Sequence, residues 1–272
     1  MNSEQTIFVI SDLHLGDGTA RDSFSNSRKC DLLFHFLDYV ADKNGRLIIL
    51  GDLCELYRFR LDTILEQWKH LFDRLHEMHP IYIPGNHDAA VGILDASHLP
   101  HPFFSHMQTP FTERIGDKQL YFMHGHELDP FIPKAQAGWG IINSILNKLF
   151  EYCSHSDACN NETISSFFLE AGEQLLRCWQ GLGQMFSNMT HGSNPNLPGG
   201  RPHHFEKSIR LQKMASRVYK HRENESYDCA IVGHTHRAGT LDPWYFNSGS
   251  WTRQNSNYLQ IRTDGHIDIH NW

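Results

Sequence analysis

An α/β fold with a largely parallel sheet is what this sequence predicts. Three observations point to it: short runs of β-branched and aromatic residues, helix-periodic segments between them, and a polar island straight after each run. Thr6 to Ser11, Arg46 to Leu50, Ile81 to Pro84, Leu120 to Met123 and Cys229 to Val232 lack the alternating polar residues of a half-exposed strand, so they fit strands covered on both faces. Arg28 to Lys43 places Leu32, Leu33, Phe36, Leu37 and Val40 on one side of a helix, and Leu61 to His79 is read as a second helix. Strand alternating with helix gives βαβ units joined by right-handed crossovers.

The islands are Asp12-Leu-His14, Gly51-Asp52-Leu-Cys-Glu55, Gly85-Asn86-His87-Asp88, His124-Gly-His126 and Gly233-His234-Thr-His236. Each follows the carboxyl end of a strand, where open α/β sheets form their ligand crevice. Core packing does not require two Asp, one Asn and four His at the ends of separate strands, whereas a pair of divalent cations does. If Asp12, His14, Asp52 and His236 hold one ion while Asp52, Asn86, His124 and His234 hold the other, Asp52 is shared and each ion keeps positions open for water and substrate. Two divalent ions bring about +4, and Asp12, Asp52 and a bridging hydroxide about −3, leaving a centre near +1 that selects anions. A phosphate ester or anhydride is the expected substrate, attacked in line by the bridging hydroxide. His87, next to Asn86 and not used as a ligand, is placed to protonate the leaving oxygen, with Glu55 orienting or charge-stabilising its ring.

The order DxH, GDxxE, GNHD, HGH, GHTH resembles the calcineurin-like metallophosphoesterase superfamily, and the motifs run from Asp12 to His236. That resemblance implies the same ligand allocation, His87 as acid and Glu55 as its partner. It also implies a four-layer αββα sandwich whose second sheet is supplied by Trp244 to Ser250, Tyr258 to Thr263 and His266 to His270. Within the superfamily the chain is most similar to the branch that cleaves the pyrophosphate of UDP-2,3-diacylglucosamine and that carries a helical insertion before its GHTH motif. Manganese is the expected metal; iron, zinc or cobalt also suit mixed oxygen and nitrogen donors.

The organisation expected is one domain over residues 1–272, interrupted by a helical insertion over 128–227. Ile141, Ile142, Ile145, Leu146, Leu149 and Phe150 form one apolar stripe there, and Phe167, Phe168, Leu175, Leu176, Trp179 and Leu182 another. Placed between two islands, the insertion reads as a cap over the crevice, against the alternatives of a stabilising pack or a subunit interface. Its last helix carries Lys207, Arg210, Lys213, Arg217 and Lys220 beside Leu211, Met214 and Val218. Arg210 and Arg217, with His126 from the crevice, are therefore candidate substrate contacts. The strip could meet a second phosphate or a membrane headgroup, against the plainer reading of a solvated face.

A net charge of −7 argues against a nucleic-acid coat, so a DNA-processing nuclease is the weaker alternative. A non-catalytic protein-binding scaffold on the same fold is the other; it would be expected to lack ligands, and none is missing. The expected partner is a phosphorylated small molecule or a lipid-linked substrate, with the oligomeric state left open. Met-Asn-Ser-Glu-Gln offers no secretory signal and no run is long enough to span a membrane, so a cytoplasmic location is expected, with peripheral contact at the inner membrane face through the cap left open. Six scattered cysteines suggest no disulfide framework, and Cys54, close to Asp52, is read as packing in preference to catalysis.

Overall fold

In a computed structural model of the protein, the structure describes residues 5–20, 22, 24, 27–93, 99–128, 203–223, 225–241, 243–252 and 254–272. Two units divide the chain, one of residues 1–134 with 207–272 and the other of residues 135–206. The second lies almost wholly outside the described residues, as do both apolar stripes of the expected insertion.

Among the described residues ten strands form two five-stranded sheets. The first has the order β10-β9-β1-β2-β3, where β1 is Ile7–Ile10, β2 Arg46–Leu50, β3 Ile81–Ile83, β9 Asn257–Ile261 and β10 Ile267–Asn271. Its β1, β2 and β3 run parallel, and β9 and β10 add an antiparallel edge. The second has the order β4-β5-β6-β8-β7, built from β4 Phe111–Ile115, β5 Lys118–Phe122, β6 Cys229–Val232, β7 Gly239–Thr240 and β8 Tyr245–Asn247. Here β5, β6 and β8 are parallel, with β4 and β7 antiparallel at the two edges.

Among the described residues, alternation along the strands sorts the side chains into three cores. Phe8 and Ile10 of β1, with Leu47 and Ile49 of β2, face a cluster with Leu33, Phe36, Leu37 and Val40 of α1 (Ser27–Asp42) and with Ile64, Phe72 and Leu75 of α2 (Leu61–Gln67) and α3 (Lys69–Glu77). Ile7, Val9, Ile48 and Leu50 point the other way and meet Leu120, Phe122, Cys229 and Ile231 of the second sheet. On that sheet's outer face, Ala230, Val232 and Tyr245 pack against Met214, Ala215 and Val218 of α4 (His203–Arg222). Helices, sheet, sheet and helix make the four-layer αββα sandwich. Among the described residues no helix is long and apolar enough to cross a membrane.

Three expectations need correction. The five motif-bearing strands do not share one sheet: β1 to β3 lie in the first, β5 and β6 in the second. Of the late segments only β8 joins the second sheet. Tyr258 to Thr263 and His266 to His270 correspond to β9 and β10, which extend the first, because Ile261, Leu259 and Ile267 complete the apolar layer begun by Ile7 and Val9. The helix expected over Leu61 to His79 is two, broken at Trp68 (φ −108, ψ 23), whose indole reaches away to donate to the Gly16 carbonyl at 2.8 Å.

Candidate metal centre

The carboxyl ends of β1, β2 and β3 in one sheet, and of β5 and β6 in the other, carry the five islands. The chain turns abruptly at each. Asp12 (φ 55), His14 (φ 52), Asp52 (φ 52), His234 (φ 66) and His236 (φ 55) all adopt the left-handed conformation, which costs a side chain other than glycine about 1 kcal/mol or more. Among the described residues only Asn44 and His79 share it outside glycine. Strain of this kind persists where the surroundings fix it. Gly51 (φ 77) precedes Asp52 for a second reason: a Cβ there would stand 2.5 Å from His124 Nδ1.

Three groups able to hold a metal result among the described residues: His14 with Glu55 and His87 is one, and the other two, taken below as the two clusters, share Asp52. Asp12, His14, Asp52 and His236 offer ligand atoms within 4.8 Å of one another, and so do Asp52, His124 and His234. Asp52 Oδ2 lies 3.7 Å from His14 Nε2 and 3.3 Å from His124 Nε2, one ring from each cluster. Its Oδ1 is occupied by the His87 N–H at 2.8 Å, so a single oxygen faces both clusters and the other holds the next island. Asn86 Oδ1 sits 3.3 Å from His124 Nε2, which adds the amide to the second cluster.

The donors fit divalent cations. Ligands about 2.0–2.2 Å from one ion stand roughly 3–4 Å apart. His236 Nε2 is 3.1 Å from Asp12 Oδ1 and 3.0 Å from His14 Nε2, while His14 Nε2 is 3.9 Å from Asp12 Oδ1. Asp12 Oδ1 is buried without a well-directed hydrogen bond, as an oxygen kept for a cation would be. The ring nitrogens turned away from each cluster are tied back. His124 Nδ1 donates to the Leu50 carbonyl at 2.6 Å and His14 Nδ1 meets Glu55 Oε2 at 2.9 Å, contacts that leave the Nε2 lone pairs to face inward.

Electrostatics follow the same plan. Burial would raise the Asp12 and Asp52 carboxyls, but surrounding imidazoles, His236 for Asp12 and His124 for Asp52, hold both below the usual range. Burial would depress His124, yet Asp52 beside it lifts the ring to about 10. Glu55, also buried, is brought down to about 2 by His14 and His87. Its Oε1 meets His87 Nδ1 at 2.7 Å, so one carboxylate orients both rings. His87 is partly exposed, and its ring lies 4.4 Å from that of Tyr57.

The remaining candidates divide. His126 stands beside the centre, its ring 5.3 Å from that of His124, but joins neither cluster; burial pushes it down to about 4, which keeps it neutral. Arg217 is half-buried on α4 and belongs to neither cluster, and the side chain of Arg210 lies outside the described residues. Cys54 is fully buried, its thiol pushed far up by burial and the charges of Asp88 and Glu55, so it fills space.

Residues without an expected role prove to build the loops. Asp88 accepts from Leu53 N at 2.6 Å, Cys54 N at 3.2 Å, Gly85 N at 2.6 Å and the Tyr82 hydroxyl at 2.6 Å, and so pins the Asp52 island to the Asn86 island. Ser11 donates to Asp12 Oδ2, which also takes the His234 N–H at 3.0 Å. Asn247 donates to the Gly233 carbonyl at 2.7 Å and accepts from Gly249 N at 3.0 Å. The signal for Asp88 was present in Gly85-Asn86-His87-Asp88: an acid beside three crevice residues that is not itself needed as a ligand is free to serve the backbone.

A family model described as calcineurin-like phosphoesterase matches residues 5–238, a span holding every candidate ligand. No curated protein matches the chain. Solved structures similar to it include a novel archaeal phosphodiesterase, at 10% identity and a TM-score of 0.42, with 98% of this chain and 100% of that chain covered. Another is Vps29 complexed with Zn2+ from Entamoeba histolytica, at 13% identity and a TM-score of 0.39, with 98% of each chain covered.

Proposed function

The chain belongs to the calcineurin-like phosphoesterase family, and from that premise we propose that it is a dinuclear-metal-dependent phosphohydrolase acting on a phosphate ester or anhydride. The observation that carries the reading is Asp52 Oδ2, placed 3.7 Å from His14 and 3.3 Å from His124 so that one oxygen serves both clusters. Asp12, His14, Asp52 and His236 would hold one ion and Asp52, Asn86, His124 and His234 the other. Bound there, a pair of divalent ions, manganese first, supplies an acidified water as nucleophile and neutralises charge on the phosphate oxygens.

The protein's own part is the proton and its placement. His87 is lifted above the ordinary histidine range because, although burial opposes it, Asp52 and Glu55 favour the charged ring. That direction is the one a general acid needs, since it favours the protonated ring. Its Nδ1 is engaged by Glu55, which leaves Nε2 to give its proton to the leaving oxygen. A scaffold without catalysis has no use for this acid or for a complete ligand set, which favours the enzyme.

The likeness to the UDP-2,3-diacylglucosamine pyrophosphatase branch supports a lipid-linked pyrophosphate, whereas His87, where that branch typically carries Arg, supports a more general ester. A manganese-loaded panel of a nucleotide-diphospho-sugar lipid, a cyclic nucleotide, a generic diester and a monoester ranks these. Turnover of at least one is expected, and His87→Ala should lower kcat on it about 10³-fold with manganese content unchanged. Absence of cleavage across the panel by metal-loaded protein would overturn the proposal.

A further inference from the structure

Away from the crevice, a second group of imidazoles gathers where α3 ends and the chain turns into β3. His76 lies in the last turn of α3, His79 follows the helix, and His106 closes the 3-10 turn Pro102–His106. His76 Nδ1 and His106 Nε2 are 3.0 Å apart. The rings of His76 and His106 are 5.1 Å apart between centroids, those of His79 and His106 5.2 Å, and those of His76 and His79 5.9 Å. Imidazoles bound to one ion at about 2.0–2.1 Å place their centroids roughly 5 Å apart when the coordination is tetrahedral. His79 holds a left-handed backbone (φ 48) just past the helix end, an uncommon conformation for a residue with a side chain.

We propose that His76, His79 and His106 form a separate site for a borderline transition cation, zinc in the first instance, clamping the end of α3 to the 3-10 turn beside it. The His76–His106 pair already has the spacing of two ligands on one ion, whereas the three rings do not yet bring their nitrogens within 4.8 Å of one another, so the exposed His79 would have to rotate its side chain to join them. Burial and the nearness of His76 and His79 push the His106 ring below its ordinary value, which favours the neutral form that binds metal. Neighbouring His101 is engaged elsewhere, accepting from the Phe103 N–H at 3.1 Å and meeting Asp73 at 3.1 Å. Three neutral nitrogen donors suit zinc, copper or nickel and are poor ligands for magnesium or calcium. The site is distinct from the crevice: His79 precedes β3 and Asn86 follows it, so they lie toward opposite ends of that strand.

The place has a structural use. β3 is an edge strand of the first sheet, and Met107, next to His106, bridges to Tyr82 in it. An ion here would fix the helix end, the turn and the edge strand together.

The test counts zinc on the full chain by equilibrium dialysis and elemental analysis. His76→Ala/His106→Ala is expected to hold about one zinc per chain fewer than the parent. Asp12→Asn/Asp52→Asn, crippled in the crevice, is expected to keep about one zinc, lost when His106→Ala is added. His79→Ala, at an exposed position, should weaken that remaining zinc about tenfold, and magnesium should not occupy the site. Circular dichroism checks that each variant is folded. Equal zinc content in the parent and a folded double variant, or, should the double variant fail to fold, unchanged zinc affinity in His79→Ala, would overturn the proposal; two imidazoles sharing one proton would then account for the 3.0 Å contact.

Discussion

The loops of the first sheet bring every oxygen donor, Asp12, Asp52 and Asn86, together with His14, whereas those of the second bring only the imidazoles of His124, His234 and His236. The two halves are also held differently. On the oxygen side the buried carboxylate of Asp88 gathers backbone N–H groups from two loops and the Tyr82 hydroxyl. On the imidazole side the neutral amide of Asn247 holds the Gly233 carbonyl, and Ser248 N bonds the Val232 carbonyl at 2.9 Å. Carboxylates packed close together repel, so the loops that carry them need stronger fixing than loops carrying rings that can be neutral.

The largest effect is expected where the halves meet. Asp52 is the carboxylate shared by the two clusters of the proposed metal pair, so Asp52→Asn should remove the shared anionic donor and leave its neighbours short of negative charge. Activity in manganese should fall about 10⁴-fold, since a metal pair contributes several kcal/mol and each 1.36 kcal/mol is tenfold in rate. Manganese content should drop below two per chain by elemental analysis. Retention of both metals with near-parental turnover would sever the link between the halves.

The anchors give the next contrast. Asp88→Ala strands buried N–H donors on both loops, at about 1–3 kcal/mol for each unsatisfied group, so a loss of about 3–5 kcal/mol in unfolding free energy is expected. Asn247→Ala removes a neutral anchor and should cost about 1–2 kcal/mol. Denaturant melts of the two variants measure the difference. Equal losses would mean that charge plays no special part in fixing the oxygen side.

The strands that carry the islands were legible in the sequence, their division between two sheets was not, and both facts have physical reasons. Cys229–Val232 and Arg46–Leu50 match their expected bounds because strands buried on both faces are written as unbroken apolar runs. Phe111–Ile115 carries no such run because an edge strand alternates: Thr112 and Arg114 are exposed, Ile115 is buried, and Arg114 and Glu113 carry charge. Which strands share a sheet is not encoded in periodicity at all. A run such as Val9 or Ile231 reads alike in either sheet, and only long-range pairing decides. The candidate ligands could be picked out because donors for such cations are drawn from Asp, Asn and His. The left-handed backbone at five of these candidates could not, since a turn of that kind is imposed by tertiary contacts.

Glu55 gives the smallest and most discriminating comparison, because from the first sheet's side it steadies a ligand with one oxygen and the proposed acid with the other. His14 Nδ1 is 2.9 Å from Oε2 and His87 Nδ1 is 2.7 Å from Oε1. Glu55→Gln keeps the shape and removes the charge. Manganese affinity should fall about 10–100-fold through His14, the usual effect of losing a group that orients a ligand, and saturating manganese should restore occupancy. What remains is then due to His87. Its ring is held above the ordinary value against burial by the Asp52 and Glu55 charges, and a general acid works only below its own pKa. Deleting one of those charges lowers that pKa, so the alkaline fall in kcat must move to lower pH at full metal occupancy. An alkaline limb that stays in place in Glu55→Gln would show that the proton comes from another group, and would leave Glu55 serving His14 alone.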